Sequence, residues 1–575
     1  MEIIFDKRKV GVLFLLALLA LSIVFFSPLT AKRVAASEPD RVFTFYALNV
    51  TYSMGYSSSG SYLNTSVSDN IYHVSTGKYS RAYDPDYGRM VFYILDVTYL
   101  FNVSRLKSTI PNTSKIEVNA EARTNVATTQ MQTVELSIFN YRLGYFQQIA
   151  SFYGTTVDAW LSWIDAVNPL DYMDSQGNMQ LNWGFCALQP DFTRLWIDFQ
   201  CIKLTLKPFK WTFMVYMDSD WSFPGEYQHP IPGDLFSRVD IDEMEMAGST
   251  SEVAVIVQVD WYQGGAYRYF ITQDFVNGTR VSPKLMYLGE VNMGNPSTLT
   301  NFVNWTIANY PSERYALTIW DHGQGVRGTC WDEHPEDYLD MVEFKTALAD
   351  AKAATGKQLN LVGFMACVMQ MAEVGYQIKD YADVMVASEE VIYIDIGWRF
   401  DWILSDLAAS PTMTGVQLGQ VIVDEYQAAA AGWPPNDPAP PTMSSVDLTR
   451  SGYLAARIDE FAAILSSKLS TYRSQIEACK NSAETFYDPD FIDLYNFTQN
   501  TLSISDPAIM NAANALLNEI DQTVLCEWHA SGTDAHGVSI YFPRYYSYDA
   551  AMYGPLNMSL DYRWDEFLKA YLNIQ

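Results

Sequence analysis

Between residues 211 and 387, five short runs are apolar almost without interruption: 211–217, 252–259, 315–320, 359–364 and 384–387. Segments with helical spacing separate them. A strand with one wet face alternates polar and apolar residues, so a continuous run marks a strand covered on both faces, as in a parallel sheet between helices. The fold expected for 208–575 is therefore α/β. Right-handed crossovers line the carboxyl ends of such strands along one edge, where open α/β sheets bind ligands. At or just past those ends stand Asp218, Asp260, Asp321 with His322, Cys367, and then Ser388, Glu389 and Glu390. His322 and Cys367 are expected to share that edge.

The chain upstream reads differently. From about 41 to 206, polar and apolar residues alternate in short stretches (90–101, 115–121, 134–141, 194–206), with turn clusters at 57–61 and 174–178. This pattern predicts an antiparallel, all-β sandwich-like domain over 37–207, with Pro208 near the boundary. Its Trp160, Trp163, Trp183 and Trp196 suit either a sandwich core or a carbohydrate platform. Beyond 404 the pattern is helical (415–430, 455–480, 508–527), interrupted by a Pro-rich loop at 433–441. A closing strand, 537–542, and a helix, 564–572, are expected to dock on the same sheet.

Lys7, Arg8 and Lys9 precede an apolar run over 10–26, and small residues follow at 34–36. Residues 1–36 read as a signal peptide or signal anchor, which makes the protein secreted or held at the cell surface. Membrane contact is expected only through that segment. Eight Asn-x-Ser/Thr sequons, at Asn49, Asn64, Asn102, Asn112, Asn277, Asn304, Asn496 and Asn557, suit an exported chain. Cys186 and Cys201 lie on neighbouring β-like segments and are candidates for a disulfide, with connectivity open. The 37 basic and 66 acidic residues give a net charge of −29, which repels a phosphate backbone and argues against nucleic-acid partners. Oligomeric state is not legible.

A thiolate attacks a carbonyl carbon and an imidazole passes a proton to the departing amine, so hydrolysis needs little more than Cys, His and an oxyanion pocket. Cys367 ends a strand and is followed by a helix expected over 368–382, whose amino terminus favours a thiolate; a buried apolar thiol is the alternative reading. His322 precedes Gly323-Gln324-Gly325, where missing side chains let a substrate backbone approach; a hydrogen-bonded turn histidine is the alternative. The 45 positions between them fit one strand-to-strand crossover.

The segments YALTIWDHGQG (315–325) and GFMACVMQMAEV (363–374) resemble the clostripain family of cysteine endopeptidases. So do WTFMVYM (211–217), VNMG (291–294), KDYADVMVASEE (379–390), the pair at 397–398 and GVSIYFP (537–543), in family order. The resemblance covers roughly 210–575. It implies a caspase-like three-layer α/β sandwich, with Cys367 as nucleophile, His322 as general acid/base, and the N–H groups of Gly323 and Cys367 as the oxyanion hole. Proteins or peptides are the implied substrates.

One position departs from the family pattern. Where relatives commonly carry an Asp that selects Arg or Lys before the scissile bond, this chain has Met365, which cannot pair with a guanidinium. Asp395 matches a second family carboxylate near that pocket and would retain the preference; a solvated loop Asp is the alternative reading. The resemblance leaves calcium open, since some relatives depend on it, but no twelve-residue calcium loop is present, and no other cofactor or metal is expected. Asp218, Glu389 and Glu390 suit either a bound cation or helix caps, with caps as the default reading, and Cys330, His529 and His536 are read as structural. The competing function class is a surface binding protein whose peptidase-like domain has lost activity, motivated by Met365.

Overall fold

The computed structural model describes residues 41–574, apart from 46–48, 55, 60–72, 77, 85–87, 103–112, 125–133, 153–158, 167–168, 175–177, 189–193, 207, 224–230, 277, 279–281, 283, 395 and 435–436. The leader read at 1–36 and Asp395 lie outside the described residues, as do the side chains of Cys186, Cys201 and Trp196. Among the described residues, no helix is long and apolar enough to cross a membrane.

Residues 41–206 form two six-stranded antiparallel sheets in a sandwich-like arrangement. The longest ladders join Gly88–Asn102 to Asn178–Leu188 and Thr113–Thr124 to Arg194–Leu206. Alternation places Ile116, Val118, Ala120 and Ala122 on one buried face, as the period of two requires. Trp183 is fully buried, as a core residue, and Trp163 packs edge-on against Tyr172 at 5.2 Å. Trp160 departs from the core reading. The strand Ala159–Asp165 is the last in its sheet, and this indole sits on its outer face, 57% exposed.

The second region is built on a nine-stranded sheet. In chain order its strands are β1 (Phe209–Ser219), β2 (Val253–Trp261), β3 (Ala266–Phe270), β4 (Lys284–Gly289), β5 (Ser312–Trp320), β6 (Leu361–Met365), β7 (Val384–Ala387), β8 (Thr442–Asp447) and β9 (Val524–His529). In space they run β4-β3-β2-β1-β5-β6-β7-β8-β9. The five expected runs are the central five strands and are mutually parallel. Two antiparallel strands flank them on each side.

Helices cover both faces. On one, Phe213, Val215 and Met217 of β1 meet α1 (Asp234–Ala247), α5 (Phe400–Ala409) and α6 (Gly415–Ala429). On the other, Met214 and Tyr216 meet α2 (Pro296–Asn309), α3 (Met341–Thr355), α7 (Ser451–Asn481), α8 (Pro507–Thr523) and α9 (Trp564–Leu572). Successive residues of β1 from Phe213 to Met217 enter different cores, so all five are apolar. That is the origin of the continuous runs.

Three local expectations are corrected. The helix read over 508–527 ends at Thr523, and 524–529 is strand β9. The free edge of β8 offers backbone partners to a β-prone Val-Leu-Cys segment, and this outweighs helical periodicity. The closing strand, Ser539–Tyr541, pairs with Phe491–Asp493 in a separate two-stranded sheet and not with the central one. The Ser539 N–H donates instead to the Gln370 carbonyl at 2.9 Å, which fixes this strand behind the Cys367 turn. Finally, the helix after Cys367, here α4, spans Ala372–Ile378 and does not begin at residue 368.

Candidate active site

His322 and Cys367 leave neighbouring strands at one level. Trp320 pairs with Met365 in the β5/β6 ladder, and each candidate residue stands two positions further on. The Asp321 N–H reaches the Met365 carbonyl at 3.4 Å. Gly323 then closes the gap. A Cβ at this position would lie 2.4 Å from the carbonyl oxygen of Cys367 and 2.9 Å from its nitrogen. The two turns therefore touch backbone to backbone, and any side chain on Gly323 would push them apart.

Backbone and ring contacts hold the His322 turn. Thr329 Oγ1 donates to the His322 carbonyl at 2.9 Å, Gly323 bridges to Thr329, and the Asp321 carboxylate accepts the Trp331 N–H. Gly325 is at φ 58°, packed so closely on Met371 and Phe491 that a Cβ would clash with both. The Trp221 ring lies 4.7 Å from the imidazole. Burial lowers the His322 pKa below its usual 6.5, partly opposed by the Glu333 charge, so the ring is neutral at pH 7.

The Cys367 turn is strained at its next residue. Val368 has φ 54°, a left-handed conformation that a β-branched side chain rarely adopts. Hydrogen bonds from Val368 N–H to the Glu390 carbonyl (3.1 Å) and from Gln370 N–H to the Ser388 carbonyl (3.0 Å) hold it there. The Ile392 N–H donates to Cys367 Sγ at 3.4 Å. Burial pushes the thiol up to about 11, aided by the Glu390 and Asp321 charges and opposed by the Ile392 bond. With α4 starting five residues on, no helix terminus stabilises a thiolate, and the expected dipole effect is absent. Cys367 is therefore a neutral thiol at pH 7.

Family-like residues outside the two turns have packing roles. Gly363 leaves room for the Trp398 indole, since a Cβ there would sit 2.4 Å from its ring. Met365 is 6% exposed, with its terminal methyl against Gly397. Trp221, Ile392 and the Glu390 carbonyl escaped the sequence reading. Ile392 and the carbonyl act through backbone atoms that no motif marks, whereas Trp221, three residues past Asp218, was within reach of the carboxyl-edge rule.

The acidic edge residues are not helix caps. Asp218 and Asp260 are paired in the β1/β2 register, both fully buried. Glu390 accepts N–H groups of Val391 and Tyr487, and Glu389 that of Gly537. Cys330 is a buried free thiol, His529 bonds Glu527 at 3.1 Å, and His536 stacks on Tyr495. Among the described residues, no group of three or more His, Cys, Asp or Glu side chains is placed to hold a metal ion.

The fold and these two turns define a class: an open α/β sheet presenting a thiol and an imidazole on adjacent strand ends. Residues 233–571 match the Clostripain family, and since that is more than half of the chain, the chain belongs to it. Clostripain of Hathewaya histolytica is 27% identical over an alignment of 233 positions that covers 34% of this chain and 42% of that protein. The chain thus matches less than half the length of that relative. A secreted C11 cysteine protease from Bacteroides thetaiotaomicron, solved with an irreversible peptide inhibitor, is 18% identical over 63% of this chain and 98% of its own, at a TM-score of 0.46. An inactive zymogen C11 protease from Parabacteroides distasonis is 16% identical with the same coverages and TM-score.

Proposed function

We propose that the protein is an exported cysteine endopeptidase in which Cys367 is the nucleophile and His322 the general acid/base. The observation that carries this reading is the contact of two turns 45 residues apart, with Gly323 against the Cys367 backbone at the carboxyl edge of adjacent strands. His322 takes the thiol proton as Sγ attacks the peptide carbonyl, so charge forms only during attack. The N–H groups of Gly323 and Cys367 hold the oxyanion. His322 passes its proton to the amine as the C–N bond breaks. Water then attacks the thioester, giving one proton to His322 and regenerating the thiol. A neutral base and a neutral thiol suit this sequence at pH 7.

In this reading the leader 1–36 exports the chain, 37–207 is an accessory β domain and 208–575 the peptidase domain, with the change falling between the strand ending at Leu206 and β1. Proteins or peptides are the substrates. Met365 supplies no charge for a basic side chain before the cut, so a preference for Arg or Lys rests on Asp395. Cys367→Ala is expected to abolish cleavage of fluorogenic peptides with Arg, Lys or apolar residues before the scissile bond, while the thermal midpoint changes little. Undiminished turnover in that variant would remove Cys367 as nucleophile.

A further inference from the structure

The carboxyl edge continues past β7. There β8 begins with Thr442, whose Oγ1 accepts the N–H groups of Glu389 (3.0 Å) and Glu390 (3.2 Å), and which pairs with His529 at the end of β9. Beside this end lies a cleft of about 480 Å³, lined among others by Asp424, Ala430, Ala431, Trp433, Trp528 and His529. Its two indoles are supported by other rings. Trp433 packs on Tyr393 in a tilted pair, with ring centroids 4.6 Å apart, and Trp528 meets Tyr426 edge-on at 6.2 Å. Tyr393 is in turn fixed by its hydroxyl, which donates to Asp437 at 2.7 Å, and it follows Ile392, whose N–H touches the Cys367 sulfur. Among the described residues, the buried Trp433 Nε1–H has no acceptor.

Distance and direction connect this cleft to Cys367. Neighbouring strands lie about 4.8 Å apart, so three steps from β6 to β9 span about 14 Å, the length of about four extended residues. In the proposed reaction the leaving amine is protonated by His322 on the β5 side, so the acyl part of the substrate runs the other way, toward β9. Small residues, Ala428, Ala430, Ala431 and Gly432, line much of the cleft, together with Gln427 and Ser531. Asp424 is solvent-exposed and His529 is engaged by Glu527, so neither charge is committed to the cleft.

Resting on the peptidase reading, we propose that this cleft is a specificity subsite that takes an aromatic side chain about four residues before the scissile bond, stacked between Trp433 and Trp528. The test uses the full chain and paired peptides that differ only in Phe or Gly at that position. The Phe peptide is expected to have about tenfold higher kcat/KM. Trp433→Ala and Trp528→Ala bring the ratio toward one, and Trp433→Phe restores most of it. A wild-type ratio near one, or a ratio unmoved in both alanine variants, overturns the proposal. Fluorescence anisotropy with Cys367→Ala separates the two claims, because it reads binding without hydrolysis. About tenfold tighter binding of the Phe peptide there supports the cleft even if the wild type cleaves neither peptide, in which case the peptidase reading alone fails. Equal affinity for both peptides, or tighter binding of a Lys peptide, overturns the subsite.

Discussion

Two stretches of the same carboxyl edge invite comparison. At the ends of β5 and β6 it carries His322 and Cys367; at the ends of β1 and β2 it carries Asp218 and Asp260, with Asp220 and Asp332 close by. Both stretches have displaced pKa values, and desolvation is the first cause in both. Burial alone therefore does not distinguish a reactive site, since it removes charge from a thiol and from an aspartate alike. What sets the first stretch apart is geometry. Two chain reversals meet through a glycine and leave a half-buried thiol with one backbone donor on its sulfur, whereas the carboxylates at β1 and β2 are sealed off.

The comparison breaks if the imidazole proves dispensable. His322→Ala is expected to lower kcat by about 10²–10⁴, the range of a positioned acid/base group, whereas Asp220→Asn, at the acidic stretch, is expected to change it far less. Single-turnover assays on one peptide would compare the two, and equal losses would contradict the distinction drawn here. Gly323→Ala sharpens it. The added methyl would stand 2.4 Å from the Cys367 carbonyl oxygen, so the turns must separate, and with them the two N–H groups proposed to hold the oxyanion. A loss of about 10²-fold in kcat is expected, as for removal of one oxyanion donor, with the thermal midpoint falling only slightly. Unchanged kcat would show that contact between the turns is not what makes the edge reactive.

The pH dependence of the thiol gives a smaller effect. With its pKa pushed up to about 11, Cys367 is a thiol throughout the neutral range, and its thiolate fraction rises as pH increases toward that value. Alkylation of Cys367 by iodoacetamide, followed by mass spectrometry of its peptide, is expected to accelerate by about tenfold per pH unit between pH 7 and 9. A free cysteine levels off soon after its pKa near 8.5. In the proposed reaction hydrolysis behaves differently, because neutral His322 would remove the proton during attack. Activity is expected to fall on the acid side only below pH 6.5, as the depressed imidazole protonates. A labelling plateau at pH 8 would mean that the resting form is a thiolate.

Most of this edge was legible in the sequence because it is written in side chains. The continuous apolar runs report strands covered on both faces, and whatever follows such a run is bound to stand on the rim, which places Asp218, Asp260, His322 and Cys367 there. What stayed hidden depends on backbone geometry or on pairing. Val368 at φ 54° delays α4 to Ala372, and nothing in a valine announces a left-handed conformation. Strand β9 was read as helix because 508–527 keeps its helical spacing to the end, while the free edge of β8 that captures 524–529 is a tertiary fact. The contacts of Ile392 and Glu390 with the Cys367 turn use an N–H and a carbonyl, groups every residue carries.

The acidic stretch makes the last and smallest prediction. Asp260 is fully buried with neither carboxylate oxygen bonded to a described side chain, and burial with the charges of Glu290 and Asp332 raises its pKa to about 8. Asp220 is raised to about 7 by burial, against the pull of His334. Each binds its proton more tightly folded than unfolded, where an aspartate titrates near 3.9. Their contribution to stability is therefore complete below about pH 4 and is lost as pH rises through about 7 to 8. The protein is expected to melt at a higher temperature at pH 5 than at pH 8. Asp260→Asn cannot ionise, so it removes part of that loss. Its midpoint is expected to exceed the wild type's by about 2 °C at pH 8 and by a smaller margin at pH 5. Calorimetry at the two pH values reads both arms. A variant that melts lower at pH 8 would mean that ionised Asp260 is stabilised by a cation or a donor, and that this stretch binds a ligand after all.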